Sequence, residues 1–180
     1  RCTAHRALGG GSIMTRAGKA VAAVLAAAGL LIGAAGAASG AAVHEGGTEQ
    51  GGTETFDDLV PCLPDLGTYS ITITFNGVFQ STENQNGGHF TFTQTGSFSA
   101  VPAAGNSGTE TFTGRFTVWG GGNFTAKGAN STFTFRANGT GSEGSSFKVN
   151  EVSHITTDGP GDPFDPSTPA KVAFERSNCR

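Results

Sequence analysis

The sequence predicts an all-β protein, an antiparallel up-and-down β-barrel of about eight strands, with a two-sheet β-sandwich as the alternative. Three observations carry this. Apolar residues recur at every second position with Thr or Ser between them, as in Tyr69-Ser-Ile71-Thr-Ile73-Thr-Phe75 and Phe90-Thr-Phe92-Thr-Gln94. A period of two marks strands with one buried and one solvated face. Clusters of Gly and Asn break these runs at short intervals, as hairpin turns require. No stretch beyond residue 42 carries a helical period.

Residues 1–42 are predicted to lie outside the domain. Met14 to Lys19 is a compact positive region, and Ala20 to Ala38 is an unbroken run of small and apolar residues. With small residues at Ala41 and Ala42 as the exit, this is the pattern of a secretory signal peptide, and residues before Met14 read as an upstream extension. The run is mostly Ala and Gly, so its apolarity per residue is low for a membrane span. The expectation is a secreted, extracellular protein with no stable membrane anchor after processing.

Residues 43–58 hold Gly-Gly-Thr-Glu twice, at 46–49 and 51–54, and read by composition as a flexible arm. Residues 59–180 are the predicted barrel domain. Its strand runs fall at about 68–80, 89–101, 109–119, 131–138, 145–156 and 170–176, and turn residues lie at 83–88, 103–108, 120–123 and 138–144. The first and fifth runs are long enough to bend and count twice. Residues 158–169 carry four Pro and must be an exposed connection.

Of the 11 Lys and Arg, four (Arg1, Arg6, Arg16 and Lys19) precede residue 43, while all 14 Asp and Glu follow it. Residues 43–180 therefore carry a net charge of 7 − 14, or −7. That balance predicts neither nucleic acid nor an anionic membrane surface as partner, since both need clustered basic residues. Cys62 and Cys179 remain once the leader is set aside, one before the first run and one at the end of the last. In an exported chain these two are expected to pair, tying the first strand to the last.

The segments Gly67-Thr-Tyr-Ser-Ile-Thr-Ile-Thr-Phe-Asn-Gly77, His89-Phe-Thr-Phe-Thr-Gln-Thr-Gly96, Trp119-Gly-Gly-Gly-Asn-Phe124, Gly144-Ser-Ser-Phe-Lys-Val-Asn-Glu-Val-Ser-His154 and Ala173-Phe-Glu-Arg-Ser-Asn-Cys179 resemble a group of small secreted β-barrel proteins of high-GC Gram-positive bacteria. The resemblance spans about residues 60 to 180 and brings no activity with it. The topology it implies is similar to that of allene oxide cyclase and dirigent barrels, but no catalytic motif of theirs occurs here, and topology alone does not carry function.

The chain holds no Gly-x-Ser-x-Gly elbow, His-Glu-x-x-His helix, P-loop or dinucleotide fingerprint. No catalytic residue, metal site or cofactor is predicted. The candidate ligand-binding residues are polar groups at odd places. Glu151 shares the face of Phe147, Val149 and Ile155; Gln94 shares that of Phe90 and Phe92; Tyr69 shares that of Ile71 and Ile73. An inward carboxylate must find hydrogen bonds or take up a proton. These three residues could line a lumen that holds a small apolar or amphipathic ligand, or form a structural polar cluster. Trp119, on the opposite face and followed by Gly120-Gly121-Gly122, reads as an exposed aromatic on a mobile loop that could stack on a sugar or a partner. The resulting expectation is a monomeric, non-catalytic binding barrel. A barrel-type isomerase or cyclase using Glu151, and a structural envelope protein, stand as alternatives.

Overall fold

The structure, a computed structural model, describes residues 42–158 and 170–180. The proposed signal peptide and the Pro-rich connection lie outside the described residues. One antiparallel sheet holds seven strands in sequence order: β1 (Val43–Leu59), β2 (Thr68–Asn84), β3 (Gly87–Pro102), β4 (Phe112–Thr125), β5 (Gly128–Gly141), β6 (Ser146–Asp158) and β7 (Ala170–Cys179). The sheet is a single meander of seven strands, rather than eight strands or two facing sheets. Among the described residues, no hydrogen-bonded ladder joins β7 to β1. A disulfide between Cys62 and Cys179, with their Cα atoms 5.5 Å apart, holds the two edges of the sheet together at one end.

Residues 43–58 are not a loose arm. They form most of β1 and pair with β2 from Val43↔Glu83 to Leu59↔Thr68. Composition misleads here because β1 has few large apolar side chains of its own. Its glycines serve instead as floors for aromatic rings: a Cβ at Gly47 would lie 2.6 Å from the Phe79 ring, and one at Gly52 2.7 Å from the Phe75 ring. The repeated Gly-Gly-Thr-Glu units are offset by five residues, an odd number that would put them on opposite faces of a regular strand. A bulge between Glu49 and Gly52 absorbs the extra residue. Gly51, at φ 67°, turns the chain there, and its N–H donates to Asn76 Oδ1 at 2.9 Å. Both units then present their Gly and Glu to the same inner face.

Glycine under aromatic is the rule across that face. Phe92 stands opposite Gly120, Phe90 opposite Gly122, Phe98 opposite Gly114 and Phe147 opposite Gly139. A large ring packed over a bare backbone restores the burial that a strand glycine lacks. This explains how so many Gly and Phe share one sheet. It also corrects the turn expected at 120–123: Gly120, Gly121 and Gly122 are internal residues of β4, and the turn follows at Thr125 to Gly128.

The inner face is packed. Phe75, Phe90, Phe92, Phe112, Phe116, Phe133 and Phe147 are all buried, with Ile71, Ile73, Val118 and Val149 among them. Seven buried rings at about 1.5–3 kcal/mol each supply much of the drive to fold. At the disulfide end, the loop after β3 covers this core. Asn106 Nδ2 donates to Leu66 O at 2.9 Å and to Thr68 O at 2.8 Å, tying that loop to the 3-10 turn Pro64–Leu66 and the start of β2.

Candidate functional site

Strand alternation places Glu151 and Gln94 where the sequence predicts, on the inner face. Glu151 is 9 % exposed and Gln94 3 %. Both lie in one cross-strand row, which reads Glu49, Gly77, Gln94, Val118, Phe135, Glu151 and Ser177 from β1 to β7. Three strand spacings, about 14 Å along the sheet, separate Gln94 from Glu151. Gln94 and Glu49 border a recess of about 80 Å³ with Gly47, Gly77, Phe79 and Phe92, room for only a few waters at about 30 Å³ each. Gly77 makes that packing possible, since a Cβ there would lie 2.9 Å from Gln94 Cγ.

Tyr69 does not join this row. It lies eight residues along β2 from Gly77, about 26 Å at the usual strand rise. It is 1 % exposed, at the disulfide end, with its ring edge-on to Phe112 at 5.6 Å between centroids. Burial, then the charges of Glu110 and Glu143, push its phenol above the usual range. Glu110 is a buried carboxylate that the sequence reading missed. It lies in a loop, outside any apolar alternation, and accepts the backbone N–H groups of Glu143 at 3.3 Å and Ser145 at 3.1 Å. Tyr69 and Glu110 brace the end of the sheet.

Two further inward acids lie on β1. Glu54 Oε2 and Glu49 Oε2 are buried with no hydrogen-bond partner. Burial first and Glu49 second raise the Glu54 carboxyl above its usual range. Inward-pointing charges on an edge strand penalise pairing with a second sheet, which suits β1.

Trp119 lies on the outer face but on no loop. It is half-buried within β4, opposite Thr93 and Thr134. The Arg136 guanidinium stands 4.9 Å from its ring centroid, and Arg136 Nε donates to Asn150 Oδ1 at 2.8 Å. Beside this pair opens the larger concavity, a groove of about 500 Å³ whose rim includes Arg115, Arg136, Lys148, Arg180, Asn138 and Asn150. The cross-strand rows build it. Asn138 is opposite both Arg115 and Lys148, and Asn150 is opposite both Arg136 and Asn178. Lys148 and Arg180 exchange backbone hydrogen bonds at 2.9 and 3.0 Å, which seats the last residue in the next position of the Asn138 row.

None of the groove-lining residues is acidic. The four Arg between residues 43 and 180 lie on the outer face: Arg115 on β4, Arg136 on β5, Arg176 on β7 and Arg180 just after β7. Bulk charge hid this cluster, because the sequence counts charges without their faces. His154, also outward, shares a 2.7 Å hydrogen bond between its Nδ1 and Thr132 Oγ1. Among the described residues no His, Cys, Asp and Glu group has the arrangement to hold a metal ion, and no helix is long and apolar enough to cross a membrane. Set against protein-family models, curated proteins and solved structures, the chain matches none of them.

Proposed function

We propose that this chain is a secreted, non-catalytic binding protein, with its sheet rolled into a barrel that the Cys62–Cys179 bridge closes, and that it engages its partner through the outer face of β4 to β7. The observation that carries the reading is the division of labour between the faces. Buried Phe rings occupy the inner face, whose recess beside Gln94 measures only about 80 Å³, while a groove of about 500 Å³ opens outward. Binding sites for ligands typically fall at about 300–1,000 Å³. The resemblance to small exported bacterial proteins and the apolar leader support the extracellular location.

The small-ligand version of this reading, with Glu151, Gln94 and Tyr69 around one lumen, has less support. Tyr69 lies eight residues along β2 from Gly77, the partner of Gln94, about 26 Å away. An isomerase built on Glu151 would need the same inner space.

Arginine-specific labelling tests the proposal. Exported protein is labelled alone and after mixing with the surface fraction of the producing cells. Protection of Arg115, Arg136 and Arg180 is expected. Unchanged labelling at all three would overturn the reading.

A further inference from the structure

We infer that the outer groove is built to take an acidic glycan, a polysaccharide whose sugar units carry carboxylates. The inference rests on the reading of this groove as the binding surface and names its ligand class.

Residues 43–180 are net −7, yet this one face gathers Arg115, Arg136, Lys148 and Arg180 around a single concavity with no Asp or Glu side chain in its lining. Among the described residues no ion pair engages these four side chains. Like charges crowded on one face repel and cost stability, so an arrangement of this kind is explained by an anion that bridges them. Arg115 and Arg180 stand at the two ends of the Asn138 row, three strand spacings or about 14 Å apart at the backbone, and a single small anion cannot occupy the whole of so wide a groove. An extended chain with repeated charges can.

Neutral polar side chains lie between the cations. Asn138, Asn150, Asn178 and Thr117 line the same groove. Amides and hydroxyls both donate and accept, which suits the hydroxyls of sugars. Arg136 is held in place by Trp119 and by Asn150 through its Nε, which leaves four of its five N–H donors for a ligand. A planar guanidinium fork fits a carboxylate with two parallel hydrogen bonds. Single-stranded nucleic acid is the competing polyanion, but it is held by bases stacked on open aromatic faces. Trp119, the one Trp of the chain, lies beside the groove with a guanidinium already over its ring, and the groove's own lining holds no exposed aromatic.

Titration at low salt with three probes tests this: an oligogalacturonate, its fully methyl-esterified form, and an oligo-dT. Oligogalacturonate should bind saturably, the uncharged ester should not, and oligo-dT should bind more weakly. The double variant Arg136→Gln/Lys148→Gln should lose roughly tenfold or more in affinity. Lys127→Gln, in the distant β4–β5 turn, should leave it unchanged. If oligo-dT binds as tightly as oligogalacturonate and the double variant abolishes both, the groove stands and the glycan assignment falls. If no probe binds, or binding survives the double variant, the groove reading falls as well. Arginine labelling of the unaltered protein with oligogalacturonate gives a second readout should the double variant not fold: protection of Arg115 and Arg136 is expected, and none overturns the inference.

Discussion

Arg136 stands over the ring of Trp119, with its guanidinium carbon 4.9 Å from the ring centroid, and so couples the only Trp of the chain to the rim of the outer groove. A cation over a half-exposed indole contributes about 0.5–1 kcal/mol, too little to decide the fold but enough to fix one rotamer. Trp119 is therefore a built-in reporter. Arg136→Gln should leave the melting temperature within a few degrees while shifting Trp emission and raising its quenching by iodide. Identical spectra and quenching in the two proteins would show that Arg136 does not rest on the ring in solution.

The bridge between Cys62 and Cys179 closes a loop of 117 residues. A loop that long constrains the unfolded chain by about 4–5 kcal/mol in the entropic account, so Cys62→Ser should lower the melting temperature by roughly 10 °C or more. Cys62 also has φ 66°, the one non-glycine residue with positive φ among the described residues. It follows Pro61 in a turn closed by Leu63 N–H to Val60 O at 3.1 Å, at the position that ordinarily asks for Gly. With the bridge gone, Cys62→Gly/Cys179→Ser should be more stable than Cys62→Ser/Cys179→Ser by about 1 kcal/mol. Denaturant midpoints measure both effects, and the opposite ranking of the double variants would refute the strain argument.

The pairing of Phe147 with Gly139 predicts an unusual sensitivity. Alanine favours a strand over glycine in general. Here a Cβ at Gly139 would lie 2.5 Å from the Phe147 ring and 2.8 Å from that of Phe98. Gly139→Ala should cost about 1–3 kcal/mol as overpacking, whereas Gly51→Ala meets no neighbour and should lose only the preference for positive φ, about 1 kcal/mol. Thermal melts of the two variants give the comparison. An unchanged melting temperature for Gly139→Ala would mean that the ring is not seated as described.

Much of this architecture was legible in the sequence, and the misses share a cause. The alternation of Phe with Thr gave the faces of β2, β3 and β6, including the inward Gln94 and Glu151, because a side-chain period of two leaves little freedom. Glycine was the blind spot. Gly120, Gly121 and Gly122 resemble a turn, and the Gly-rich Val43–Leu59 resembles a tail, until the strand register and the rings beside Gly47, Gly52 and Gly122 are known. The groove was hidden for a different reason. Arg115, Arg136, Lys148 and Arg180 come from separate stretches of chain, and only the register of β4 through β7 makes them neighbours.

Glu54 gives the sheet a specific pH response. Burial and the nearby Glu49 raise its folded pKa above the ordinary 4.5. The folded chain therefore keeps this proton to a higher pH than the unfolded chain does. The stability it contributes is complete below pH 4.5 and is lost as pH rises through the folded pKa. Glu54→Gln should accordingly be more stable than the natural protein near pH 7, with the advantage shrinking toward pH 4. Urea midpoints at the two pH values test this, and an advantage independent of pH would contradict it.

The inner face is core, and the outer face is the proposed working surface. Binding of labelled protein to the surface of its producing cells measures this directly, with two variants compared side by side. Arg136→Glu/Lys148→Glu reverses charge in the groove, and Gln94→Ala/Glu151→Gln alters the inner row without touching it. The outer variant should lose binding while the inner variant keeps it, even where the inner variant melts at a lower temperature. Retained binding by the outer variant, with loss in a folded inner variant, would rule out the outer surface and return the function to the lumen.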